Sequence, residues 1–236
     1  MKILHKPKFI YFDGMNVLVD KNKPESFYIS KELGFPEERY EEYINAVARK
    51  QSKEMQDEFW TVSSLEKERE YMNKYHIEFL KFLNITYNKE LVEKLTKLRM
   101  EADYFVKDGV KQALETLSKK YRLGVLTNAM PSRRYHELKL DNIDKYFEHI
   151  VISREVGSFK PDHKIYEVAI ERSGLSPEDI LFIDDKVKYL DGAVAAGIKN
   201  VLLMKHKEET DKYPMVSNLL ELEQMLDEKA FIKTIK

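Results

Sequence analysis

Four places in this chain set a reactive side chain directly behind a short apolar run. Asp13 follows Phe9-Ile10-Tyr11-Phe12, and Thr127-Asn128 follows Leu123-Gly124-Val125-Leu126. Asp184-Asp185 follows Ile180-Leu181-Phe182-Ile183, and Lys160-Pro161 lies in the loop after His149-Ile150-Val151-Ile152. In parallel α/β sheets, ligands bind at the carboxyl ends of the strands, so these positions converge on one crevice if the strands are neighbours. A carboxylate nucleophile, a hydroxyl, an ammonium and an acidic pair suit phosphoryl transfer. Asp13 would attack phosphorus, Thr127 and Lys160 would neutralise the phosphate oxygens, and the acidic pair would hold Mg2+. Adjoining carboxylates repel without a counter-cation, so a metal also accounts for their crowding. Each position has a plainer reading: Asp13-Gly14 as a turn, Thr127-Asn128 as a helix cap, Lys160-Pro161 as a solvated loop, Asp184-Asp185 as an N-cap pair. Singly, the plainer reading wins. As an ordered set at successive strand ends, the balance reverses.

The elements that must position these residues follow from the same runs. Continuous apolar tetrapeptides suit strands buried on both faces, and a further one occupies residues 201–204. Helical patterns lie between them at 110–120, 133–140, 164–173 and 192–196, which predicts βαβ units and a doubly wound parallel sheet. That alternation is interrupted after the first strand. Neither Gly nor Pro occurs between Pro36 and Gly109, so this stretch reads as helical. Tyr40, Tyr43, Ile44, Val47 and Gln51 share one helical face, and Leu65, Met72, His76, Phe79 and Leu83 another. Ser63 with Glu66 suits a capping box, and Asn88 can cap a helix carrying Leu91, Leu95 and Leu98. With a helix at 25–33, the pattern predicts about four inserted helices; heptads are not sustained enough for a coiled-coil arm. The expected division is a core of 1–19 and 104–208, an insert of 20–103, and a C-terminal helix and tail over 209–236. The last helix would run from Ser217 to Asp227.

Composition narrows the classes. Lys plus Arg number 40 against 41 Asp plus Glu, a balance unlike that of a nucleic-acid binder. The absence of cysteine excludes disulfides, thiolate catalysis and Cys-ligated zinc. No apolar window reaches a membrane span and no signal segment is visible, so a cytoplasmic protein is expected. The six histidines form no i, i+4 pair, which gives a His-based metal site little support. His76 reads as a packed core residue, and Arg133-Arg134 as a solvated helix start. Oligomeric state is not legible.

The ordered set resembles the haloacid dehalogenase-like hydrolase superfamily. Residues 9–18 align without a gap on that superfamily's first motif, an apolar strand followed by Asp-x-Asp-Gly-Thr-Leu. Thr127 matches the second motif, Lys160 within Glu155-Val156-Gly157-Ser158-Phe159-Lys160-Pro161 the third, and Asp184-Asp185 through Ala193 the fourth. The likeness covers residues 8 to about 205. It implies Asp13 and Lys160 as catalytic residues, and Thr127, Asn128 and Lys160 as substrate contacts. It also implies a small phosphorylated substrate, and an insert similar to the family's cap of the first type. By the same resemblance, Mg2+ would be held by Asp13, the Met15 backbone carbonyl and Asp185, with Asp184 in support.

One departure bears on activity. The family's second Asp, which protonates the leaving group and then activates water, is Met15 here, and the following Gly and Thr are Asn16 and Val17. Losing a general acid–base removes about 10²–10⁴ in rate. The resemblance therefore implies a slow or narrow phosphatase, and restoring Asp at position 15 would gain at least about tenfold if that loss is limiting. Two alternatives stay open. One is a dehalogenase-like hydrolase attacking carbon without a metal, against which the acidic pair counts. The other is a catalytically silent binding protein that keeps the fold.

Overall fold

The computed structural model describes residues 6–101 and 103–226. Its strands are β1 (Phe9–Phe12), β2 (Val19–Lys21), β3 (Tyr104–Val106), β4 (Arg122–Thr127), β5 (His149–Ile152), β6 (Ile180–Asp184), β7 (Asn200–Met204) and β8 (Met215–Val216). Six of them form one sheet in the order β5-β4-β1-β6-β7-β8, with every pairing parallel. β1 is an inner strand and all four of its side chains are buried, which is why its sequence is continuously apolar.

The pleat sends alternate β1 residues into two layers. Ile10 and Phe12 join a cluster with Leu114, Leu117, Leu219 and Leu222 on one face. Phe9 and Tyr11 join Ile165, Ala169, Leu190 and Ala193 on the other. The helices supplying those layers are α6 (Val110–Leu117), α9 (His163–Ser173), α10 (Val187–Ala195) and α11 (Leu219–Leu226). Short helices α7 (Arg133–His136) and α8 (Ser153–Val156) follow β4 and β5.

Between β2 and β3 lie α1 (Glu25–Leu33), α2 (Tyr40–Lys50), α3 (Lys53–Thr61), α4 (Leu65–Phe82) and α5 (Lys89–Met100). β2 and β3 pair antiparallel, Val19 opposite Val106 and Lys21 opposite Tyr104, so the insert leaves and rejoins the chain side by side. Ile29, Tyr40, Val47, Phe79, Leu80, Val92 and Leu95 make its main core; Met55, Val62, Tyr71, Met72 and Met100 make a smaller one.

The structure corrects several expectations. The insert has five α-helices, because Lys53–Thr61 is helical behind an N-cap in which the Met55 amide donates to Ser52 Oγ at 3.2 Å. The cap of α4 is Ser64, which accepts from the Lys67 amide at 3.2 Å, and not Ser63. Asn88 caps α5 as expected, accepting from the Leu91 amide at 2.9 Å. The helix expected over 133–140 breaks after one turn, and the following 3-10 segment is kinked by positive φ at Asp141 and Asn142. The last helix is described over Leu219–Leu226, starting after the expected Ser217; its expected end at Asp227 and the basic tail lie outside the described residues. No described helix is long and apolar enough to cross a membrane.

Candidate active site

Asp13, Thr127 and Asp184 stand at the carboxyl ends of three adjacent strands, β1, β4 and β6. The ladder carries on past β1, since the Asp13 amide donates to the Ile183 carbonyl at 2.9 Å. Gly14 then lets the chain pass close to β4: a β-carbon there would stand 3.3 Å from Thr127 Oγ1 and 4.0 Å from Glu137 Oε2. Asn16 takes φ 65°, left-handed backbone that a branched residue would resist and that Asn tolerates.

Lys160 joins the acidic residues. Its ammonium donates to Asp13 Oδ1 at 2.7 Å and to Asp184 Oδ2 at 2.5 Å. Burial works against its charge, but the two carboxylates outweigh it and hold its pKa above the ordinary lysine value. Asn128 fixes the loop that carries it: the Lys160 amide donates to Asn128 Oδ1 at 2.7 Å, and Asn128 Nδ2 donates back to the Lys160 carbonyl at 2.9 Å. Gly192 leaves room for that loop, because a β-carbon there would come within 2.8 Å of Pro161.

Asp13, Asp184 and Asp185 are all buried, and each offers an oxygen within 4.8 Å of the others. Burial raises the Asp184 carboxyl above the ordinary range; Lys160 opposes the shift and Asp13 adds to it. Asp184 Oδ1 also accepts from the Lys186 amide at 2.9 Å. Asp185 Oδ2 accepts from Asn16 Nδ2 at 2.8 Å, and Lys186 reaches it from a more open position at 3.4 Å. One fully buried ammonium thus faces three buried carboxylates. That donor set is oxygen-rich and short of positive charge, as a hard divalent cation requires.

The sequence profile of the haloacid dehalogenase-like hydrolase family matches residues 25–203. The chain belongs to that family. A glyceraldehyde 3-phosphate phosphatase of Methanothermobacter thermautotrophicus is 30% identical over 123 residues, 52% of this chain and 54% of that protein. The alignment thus spans about half the length of that relative. Two solved structures share the fold. A HAD-hydrolase of Bacillus subtilis bound to magnesium has a TM-score of 0.65 at 19% identity, covering 94% of this hydrolase and 100% of that chain. The L-2-haloacid dehalogenase of Xanthobacter autotrophicus with chloropropionic acid covalently bound gives 0.61 at 17%, covering 93% and 98%.

Over the site of this hydrolase, the insert meets the segment after β4. Arg133 is not a fully solvated helix start: it is half-buried, stands against Glu137 one turn on, and lies 4.4 Å from the Tyr104 ring centre. Arg134 pairs with Glu155 at 2.6 Å. Glu68 of α4 spends both oxygens on Ser132, accepting its amide and its hydroxyl at 2.7 Å each. Glu137 is 4% exposed, and burial pushes its carboxyl up to about 8, with Lys21 opposing and Asp13 adding. Lys21 itself is engaged by Glu25 at 2.9 Å, and Lys23 stands over the Phe27 ring. Further out, the Arg154 guanidinium sits 3.9 Å from the centre of Phe59 and 4.8 Å from those of Trp60 and Phe159.

Sequence reasoning missed Glu137, Lys107 and Asn16 as members of this neighbourhood. Lys107 donates to the Asn16 carbonyl. An Arg–Glu pair four residues apart was the one visible signal for Glu137, and surface helices show such pairs routinely.

Proposed function

We propose that this hydrolase is a magnesium-dependent phosphatase acting on a small phosphorylated metabolite through an aspartyl-phosphate at Asp13. The observation carrying the reading is the Lys160 ammonium held between Asp13 and Asp184, beside a third carboxylate, Asp185. Mg2+ would be held by Asp13, the Met15 carbonyl and Asp185, with Asp184 in support. When bound, it supplies positive charge to the phosphoryl oxygens and offsets the three carboxylates. Lys160 binds a phosphoryl oxygen and keeps Asp13 oriented. Thr127 and Asn128 close the other side of the pocket, the first by its hydroxyl and the second through the Lys160 loop.

Residues 1–19 and 104–208 form the catalytic core in this reading, and 20–103 form a cap that encloses the substrate. The naming of a phosphatase among its relatives supports the reaction class. Attack on carbon without a metal is disfavoured by the excess of buried carboxylates, which would repel an acid substrate. The test is a panel of sugar and triose phosphates plus 4-nitrophenyl phosphate, assayed with Mg2+ and with chelator. Turnover that needs Mg2+ and disappears in Asp13→Asn supports the reading. No phosphate release from any ester, or chloride release from a 2-haloacid, overturns it.

A further inference from the structure

A phosphatase of this design needs one more group, a proton donor for the leaving oxygen that can then draw a proton from water. Met15 has no exchangeable proton, so that task falls to another side chain or is left undone. Among the described residues, Glu137 stands at the right place. Its Oε2 lies 4.0 Å from where a β-carbon on Gly14 would be, next to Thr127 Oγ1, on the residue joining Asp13 to Met15. The Glu137 side chain is buried, and its Oε1 makes no hydrogen bond, so the carboxyl is not committed to a partner elsewhere in the fold.

We infer that Glu137, buried beside Gly14, is the general acid–base of this hydrolase. The inference rests on the phosphatase reading above. In the first half-reaction an Asp13 carboxylate oxygen attacks phosphorus and the P–O bond to the alcohol breaks. The Glu137 O–H proton passes to the departing oxygen, leaving Glu137 as a carboxylate. In the second half, a water oxygen attacks phosphorus and gives its proton to Glu137. The bond from phosphorus to Asp13 breaks, and phosphate leaves with both carboxyls restored.

The surroundings fit this cycle. A permanently ionised carboxylate would repel a phosphoryl dianion, whereas burial keeps a proton on Glu137 close to neutral pH. Lys21 pulls the other way and stabilises the carboxylate once the proton has left. Glu68, the other buried carboxyl near this segment, is tied on both oxygens to Ser132 and has no such freedom.

The experiment compares glycerol 1-phosphate, whose alkoxide needs a proton, with 4-nitrophenyl phosphate, whose phenolate does not. In Glu137→Gln, glycerol phosphate turnover should fall about 10²-fold or more. The aryl ester should still release about one equivalent of nitrophenolate per protein in a burst, then slow, because water has lost its base. Met15→Asp in the Glu137→Gln background should recover at least about tenfold on the alkyl ester. In the otherwise unaltered chain, Met15→Asp should gain less than about threefold, since the proton is already handled. Equal losses on both esters with no burst would overturn the assignment, as would a tenfold gain from Met15→Asp alone. The second of these needs no change at Glu137 and holds even if Glu137→Gln does not fold. If the unaltered chain hydrolyses neither ester nor any member of the panel above, the phosphatase reading itself falls. If it hydrolyses both, Asp13→Asn is dead and Glu137→Gln is unimpaired, only the role of Glu137 falls.

Discussion

The carboxyl edge of the sheet and the helical insert both bury ionisable groups, and they treat them in opposite ways. At the sheet edge two carboxylates share the buried Lys160 ammonium and a third, Asp185, has only the more open Lys186 at 3.4 Å. In the insert, charges find partners of opposite sign. Glu25 is the clearest: burial works against its ionisation, but Arg99 and Lys21 prevail and bring it down to about 2. His76 donates from Nδ1 to Thr96 Oγ1 at 3.0 Å, since the Thr96 hydroxyl is spent on Asn73 at 2.7 Å. Opposite charges in contact serve the fold, whereas like charges forced together are tolerated where they are used. The sheet edge is therefore where stability is given up, and the insert is where it is kept.

That contrast can be broken most decisively at Asp13. Asp13→Asn should lower phosphate release at least about 10³-fold. In chelator it should also raise unfolding stability by about 1 kcal/mol, because one of three facing carboxylates is gone while Lys160 keeps Asp184. Denaturant titration beside the activity assay checks both, and a destabilised, inactive variant would end the comparison. In the insert the sign should reverse: Glu25→Gln takes the carboxylate from the half-buried Arg99 and should cost about 2 kcal/mol, read from the urea midpoint.

Acid should sharpen the difference further. His76 is held down to about 3 by burial, against 6.5 for the ordinary group. The unfolded chain therefore takes up a proton that the native one refuses, and stability falls as pH drops from about 6.5 toward 3. At pH 5 this amounts to about 2 kcal/mol. Glu25 acts in the same direction over a lower window, from about 4.5 to about 2. Asp184, raised in the fold, acts oppositely and gains as pH falls. Unfolding followed at pH 7 and pH 5 should show a smaller loss in His76→Leu than in the unaltered chain; equal losses would refute the assignment. The smallest effect should come from Arg154→Ala, about 1 kcal/mol from the lost guanidinium–ring contacts, seen as a lower melting temperature.

The contrast also explains what could be read without coordinates. Strands such as Phe9–Phe12 and Ile180–Asp184 declare themselves because burial on both faces forces continuous apolar runs. The residues behind them are therefore found by position, which is how Asp13, Thr127 and the Asp184-Asp185 pair were legible. Lys160 was legible by resemblance more than by element, since it sits in a loop. α3 was not, because Met55 alone is buried in it and its remaining face is polar or open. β2 and β3 are three residues each, too short to carry a period. Glu137 was hidden for a different reason. Its surroundings are made by Gly14, distant in sequence, and by the insert, so no local pattern announces them.

Trp60 is the only tryptophan in the chain. It is 63% exposed, edge-on to Phe159 with ring centres 5.7 Å apart, and against Arg154. Phe159 directly precedes Lys160. A single indole thus straddles the seam between insert and sheet, one residue from the ammonium that holds Asp13. Its emission spectrum is an unlabelled optical gauge of the packing at that seam, readable in the same cuvette as turnover.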